Sequence, residues 1–267
     1  MEAWFAYPLI GAIAGTIGGL LGVGGGIVVV PALVWIFHAN GFPESSIMHL
    51  AIGTSLATIV PTSVASVRAH HKHGAVQWPV FLHLSPGFAL GALLGAIAAT
   101  YVASGQLKLL FGVFLCFIAS QLALASNPIP QRDLPGRNSL FAVGTFIGAL
   151  SALFGIGGGN LTVPFLLRCR LPIRQAVATG AAAGLPIATI GAAAYVITGQ
   201  GARGLPAWSA GYVYAPALIG IAAMSILFAA FGAKLAHRLP TALLRRGFGV
   251  FLLIVGLRML IGEMGQQ

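Results

Sequence analysis

GGLLGVGGGIVVVP, residues Gly18 to Pro31, places six glycines in its first nine positions and follows them with a block of Ile, Val and Pro. The same pattern returns as SALFGIGGGNLTVP, Ser151 to Pro164. Glycine inside a helix costs about 1 kcal/mol relative to alanine. A chain that accepts this cost twice, about half its length apart, interrupts its helices at chosen places.

The surroundings of the two stretches identify the solvent. Of the 267 residues, 58% are hydrophobic and 7% charged, and the mean hydropathy is +0.94. A water-soluble domain carries roughly a quarter charged residues, so the composition predicts an all-α integral membrane protein. Apolar runs cover 4–37, 46–67, 75–103, 105–125, 138–167, 173–198, 208–236 and 240–262, which is four followed by four. The halves match in detail. Gly22–Gly26 and Pro31 correspond to Gly155–Gly159 and Pro164, and Gly53 to Gly180. Pro79, Gly95 and the GVFL at Gly112 correspond to Pro216, Gly232 and the GVFL at Gly249. Duplication of this kind is common among transporters. It predicts a first repeat over 1–125, a second over 138–267, and a linker at 126–137, SNPIPQRDLPGR, rich in turn formers.

Segment 4–37 is too long to be one crossing. As a single helix its 34 residues would span about 51 Å, against a hydrocarbon core of about 30 Å. Two crossings do not fit either, since the arm after the glycines, 27–37, reaches only about 16 Å. Either a hairpin enters, breaks at the glycines and returns, or a single crossing is unwound at its middle. Cation placement separates the two. If every segment crosses, the fourteen Lys and Arg divide six against eight. If segments one and five are re-entrant, only Lys108, Arg203 and Arg258 face the side opposite the other eleven. The second arrangement has the bias of a cytoplasmic face. Each repeat then crosses three times, so the second copy is inverted, and both termini lie outside the cytoplasm of an inner membrane. The first apolar stretch is not a cleaved signal, because no cation precedes it and its pattern recurs mid-chain.

A break at membrane depth frees backbone N–H groups, and glycine lets them form a concave nest open to an anion. The helix restarting beyond each break adds its positive end. The alternative use of such glycines is close helix packing, the role expected of Gly87, Gly91 and Gly95 at their four-residue spacing. The doubled motif, with AIGTS at Ala51–Ser55 and GAVQWP at Gly74–Pro79, resembles the TauE/SafE, or sulfite exporter, family of membrane transporters over essentially the whole chain. That resemblance implies export of sulfite or a small organosulfonate. The second copy departs from it, with Ala181–Ala183 where the first has Thr54, Ser55 and Leu56.

The expected substrate site therefore comprises Gly24, Gly25, Gly26, Gly157, Gly158, Gly159 and Asn160, with Thr54, Ser55 and Thr58 from the next segment. Thr54, Thr58 and Thr62 share a helical face and either line the path or bond back to their own helix. Asn160 either caps the restarting helix or contacts ligand. His70, His71, Lys72 and His73 read as a solvated loop, and His49 and His83 as packing histidines. Cys116 and Cys169 read as structural thiols, with no disulfide framework, metal site or cofactor. No Asp or Glu lies within an apolar run, which argues against carboxylate-coupled pumping and against a metal or cation carrier. No facing nucleophile and base suggests an enzyme, and no solvated basic face suggests nucleic acid. The partners expected are a small anion and the lipid bilayer. A scaffold without transport is the rival from another class, but a packing protein has no need of two broken helices.

Overall fold

Lipid offers no partner to a backbone amide, so a spanning segment satisfies its own hydrogen bonds by coiling. The computed structural model describes residues 5–21, 25–124, 133–236 and 241–264, and among them ten helices carry the fold. These are α1 (Ala6–Leu21), α2 (Gly26–Ala39), α3 (Glu44–Lys72), α4 (Trp78–Thr100), α5 (Ser104–Leu124), α6 (Arg137–Phe154), α7 (Gly159–Arg168), α8 (Ile173–Thr198), α9 (Ala215–Ala236) and α10 (Thr241–Met264). A two-stranded ribbon, β1 (Ser209–Ala210) and β2 (Val213–Tyr214), precedes α9. Helices α3, α4, α5, α6, α8 and α9 are long and apolar enough to cross a membrane. Eight apolar segments become ten helices because segments one and five each divide at their glycines.

The second break shows how. Gly155 takes a left-handed conformation, φ 66°, and its N–H and that of Ile156 both return to the carbonyl of Ser151, which ends α6. The chain restarts at α7 without a side-chain cap. In the first, the described part of α1 ends at Leu21 and α2 starts at Gly26, while residues 22–24, Gly24 among them, lie outside the described residues. The two ends of each broken segment share a neighbour. Tyr7 on α1 and Phe37 on α2 both set their rings against Tyr214, with centroids 6.1 and 5.6 Å away. Asp133, just before α6, accepts a hydrogen bond from Arg170, just after α7, at 3.1 Å.

The halves interlock helix for helix: α1 packs on α9, α6 on α4, α3 on α8 and α5 on α10. Glycines set the closeness and reveal the directions. Gly87, Gly91 and Gly95 lie against the backbone of Phe141, Thr145 and Ala149 in ascending order, so α4 and α6 run parallel. Gly11 and Gly15 lie against Ile221 and Ser225, so α1 and α9 do the same. The pairs α5 with α10 and α3 with α8 run antiparallel instead. In α5 and α10, Gly112 meets Leu260 while Gly249 meets Ala119. In α3 and α8, Gly53 meets Tyr195 while Gly184 meets Ser63. Matching hydrogen bonds tie the starts of α4 and α9: Gln77 N–H donates to Thr179 Oγ1 at 3.1 Å, and Tyr214 N–H to Thr54 Oγ1 at 2.9 Å.

Candidate functional site

The two breaks meet. A Cβ added to Gly26 would lie 2.6 Å from the carbonyl oxygen of Gly155 and 3.1 Å from the Cα of Ile156, so only glycine fits where α2 begins beside the end of α6. Helix α3 fastens the junction. Its buried Ser55 donates to the Gly155 carbonyl at 2.7 Å, holding an oxygen that the left-handed turn leaves outside any helix. Ser55→Ala strands that carbonyl and is expected to cost about 1–3 kcal/mol of stability. Thermal unfolding of the purified protein checks this, and an unchanged Tm would contradict it.

At the junction lies a cavity of about 430 Å³. Gly25 and Gly26 line it from one break and Gly157, Gly158 and Gly159 from the other. It continues along α3 past Thr58, Thr62 and Ser66 to His70, toward the end of the molecule that carries Arg68 and Lys72. No carboxylate is among its lining residues.

The hydrogen bonding sets which polar groups are engaged around this cavity. Thr58 donates its hydroxyl proton to the Ser55 carbonyl at 2.7 Å, Thr62 to that of Ile59 at 2.9 Å, and Ser225 to that of Gly11 at 3.0 Å. With their protons engaged, these side chains present lone pairs. The donors come from the main chain. The first bonded amide of α7 is Thr162 N–H, to the Gly158 carbonyl at 2.9 Å. Among the described residues, the amides of Gly157, Gly158, Gly159 and Asn160 make no backbone hydrogen bond, as expected for the first turn of a helix. On the other side, among the described residues, Val28 and Val29 are the first amides of α2 to bond, both to the Gly25 carbonyl at 3.0 Å. Two helix N-termini, neither closed by a side-chain cap, thus flank one cavity. Each carries about half a positive elementary charge.

The expected site residues sort into three groups. Gly25, Gly26, Gly157, Gly158, Gly159 and Thr58 come together on the cavity wall. Thr54, Ser55 and Asn160 do not. Thr54 is fully buried beneath the ribbon, where it accepts the Tyr214 amide, and Ser55 holds the junction. Asn160 is 7% exposed, and neither its amide nitrogen nor its oxygen has a hydrogen-bond partner; Gly158 holds the N-cap position, so Asn160 does not cap α7. Gly24 lies outside the described residues. Thr62 bonds back to its own helix and also lines the cavity, so the two readings of that face hold together at this residue.

His70 corrects the loop reading. Helix α3 runs on through Lys72, so His70 sits in its last turn and lines the cavity. The i, i+4 spacing of Thr58 and Thr62 continues through Ser66 to His70, so all four lie on one face of α3. His49 is buried, with Nε2 3.0 Å from the Ala99 carbonyl, as a packing histidine should be. Cys116 and Cys169 are both free thiols, the second buried.

The chain is similar in sequence to known membrane proteins. Residues 7–259 match the sequence profile of the family described as "Sulfite exporter TauE/SafE". A "Probable membrane transporter protein" from Haemophilus influenzae is 34% identical over 255 residues, covering 95% of this chain and 96% of its own. Another, from Methanocaldococcus jannaschii, is 29% identical across 95% of this chain and 94% of its own. A "Probable sulfite/organosulfonate exporter TauE" from Cupriavidus necator is 25% identical over 180 residues, 65% of this chain and 66% of its own.

Proposed function

The chain belongs to the sulfite exporter TauE/SafE family and is a multi-pass membrane transporter, and from that premise we propose that it exports a small anion, sulfite or an organosulfonate, through the cavity where the two glycine breaks meet. The observation that carries the proposal is the pairing of the Gly157, Gly158 and Gly159 amides, unbonded among the described residues, with two helix starts that no side chain caps, around a cavity with no carboxylate among its described lining residues. Backbone dipoles of this kind stabilise negative charge where water is scarce.

The same reading takes the halves, 1–125 and 138–267 with 126–137 between them, as inverted repeats, each a re-entrant hairpin followed by three crossings. Support comes from the antiparallel packing of the corresponding pairs α3 with α8 and α5 with α10. The shared Tyr214 contact and the Asp133–Arg170 pair, which bring the two ends of each broken segment together, support the hairpins. The cation-rich face is then cytoplasmic, the cavity faces the cytoplasm, and both termini lie outside an inner membrane.

A cell interior at negative potential favours exit of an anion by about 2.3 kcal/mol per charge per 100 mV, so export needs no carboxylate relay. In liposomes, flux of labelled sulfite or a sulfonate is expected to rise when the lumen corresponding to the cytoplasm is made negative. Flux of neither anion would refute the proposal. Flux indifferent to voltage would refute the potential-driven mechanism alone.

A further inference from the structure

The present cavity runs from the junction along α3 toward the end that carries Arg68 and Lys72, and the duplication says where its mirror image belongs. Lining residues of the breaks have counterparts in the other half at an offset of 133, and those of α3 and α8 at an offset of 127, the offsets set by Gly26 with Gly159 and by Gly53 with Gly180. Gly18 and Val29 line the cavity, and their counterparts are Ser151 and Thr162. Both side chains are fully buried, and neither hydroxyl has a hydrogen-bond partner. Ala181 also lines the cavity, and its counterpart is Thr54, whose hydroxyl is held under the ribbon by the Tyr214 amide. Large side chains occupy the mirror region. Leu56 packs against Gly191, and the Tyr195 hydroxyl reaches the Ala152 carbonyl at 3.4 Å.

An unbonded buried hydroxyl costs free energy that selection has no reason to accept in a static packing protein. In the first half the mirror positions of Ser151 and Thr162 are Gly and Val, so the repeat does not require polar residues there. We propose that Ser151, Thr162 and Thr54 form the polar wall of a second cavity, on the face opposite the present one, which opens when the two halves exchange conformations and the β1–β2 ribbon releases Thr54. In that state the hydroxyls of Ser151 and Thr162 meet water or the departing anion, and they are orphaned only while this side is shut. The inference rests on the inverted-repeat reading but not on the identity of the substrate.

Thiol accessibility tests it. In the full-length protein with Cys116 and Cys169 replaced by alanine, Ser151→Cys, Thr162→Cys and Ser66→Cys are introduced singly. Each is treated with a charged, membrane-impermeant methanethiosulfonate, in right-side-out and in inside-out vesicles. Ser66 lines the present cavity, so its cysteine should react from the cation-rich face. Ser151→Cys and Thr162→Cys should react from the opposite face only, about 10- to 1,000-fold more slowly than an exposed thiol, the range for a state populated at about 0.1–10%. Thr54→Val, which cannot accept the Tyr214 amide, should speed that labelling. Two substituted positions guard against loss of one variant to misfolding. Labelling from the cation-rich face, or no labelling from either face while Ser66→Cys reacts, would overturn the proposal. A correct labelling pattern without sulfite or sulfonate flux would leave it standing and remove only the substrate assignment.

Discussion

Gly26→Leu should lower anion flux by about 5- to 150-fold, the equivalent of an overpacking cost of about 1–3 kcal/mol, while leaving the protein inserted in the membrane. Even the first carbon of the new side chain would sit 2.6 Å from the Gly155 carbonyl and 2.9 Å from the Cδ1 of Ile59. The backbone on both sides of the junction has no room to absorb it, so the two breaks must part. Separation turns the helix starts away from each other and disperses the glycines that line the cavity. Gly247→Ala is the matched comparison. That glycine lies within α10 with nothing within 4 Å of its added Cβ, so the change should be neutral or slightly stabilising, by about 0.5–1 kcal/mol. Flux and membrane-fraction yield, measured together, decide the matter. Native flux in Gly26→Leu would mean that the breaks serve packing and not transport.

The second large effect falls on assembly. Gly91→Leu is expected to prevent recovery of folded protein, and Gly91→Ala to lower stability by about 1–3 kcal/mol. A Cβ there would run into the carbonyl of Thr145, on a seam where Gly87 and Gly95 make equivalent approaches to Phe141 and Ala149, and where Gly144 and Gly148 reciprocate from α6 toward Leu84 and Phe88. Two backbones this close exclude any side chain between them. Lipid supplies no hydrophobic drive to hold helices together, so close van der Waals contact of this kind does so instead. Tm in detergent should fall by about 2–4 °C for each kcal/mol. A Gly91→Ala protein that melts like the native one would contradict the close approach of α4 and α6.

These two sets of glycines show what the sequence makes legible. Runs such as GVGGG announce a broken helix because glycine both weakens helical structure and exposes amides. GxxxG spacing announces a packed face because the period of four returns each residue to one side of the helix. Both signals are local. The interlocking of the halves was legible in a weaker sense, since matched Gly and Pro positions reveal a duplication but not which helices touch. Thr54 was misleading for a different reason. It shares a helical face with Thr58 and Thr62, but its partner is the amide of Tyr214, 160 positions away, in a ribbon inserted between α8 and α9 that has no counterpart between α3 and α4. Periodicity carries no trace of such a contact. His70 was hidden by composition. The polar run HHKH looks like a loop, yet α3 is long enough to extend beyond its apolar stretch, and its last turn still follows the cavity-lining face. Ser225 reaches the cavity through the packing of α9 on α1, which only the tertiary fold supplies.

Main-chain amides at the meeting of the two breaks are the seat proposed here for the anion. The most direct measurement is a structure of the protein soaked with selenite, the heavier analogue of sulfite, with selenium located by anomalous scattering. A peak is expected in the cavity between Gly25–Gly26 and Gly157–Gly159, with the anion oxygens about 2.7–3.2 Å from backbone nitrogens of the second break. A selenium peak bound elsewhere along the path, with the junction empty while sulfite flux persists, would contradict it.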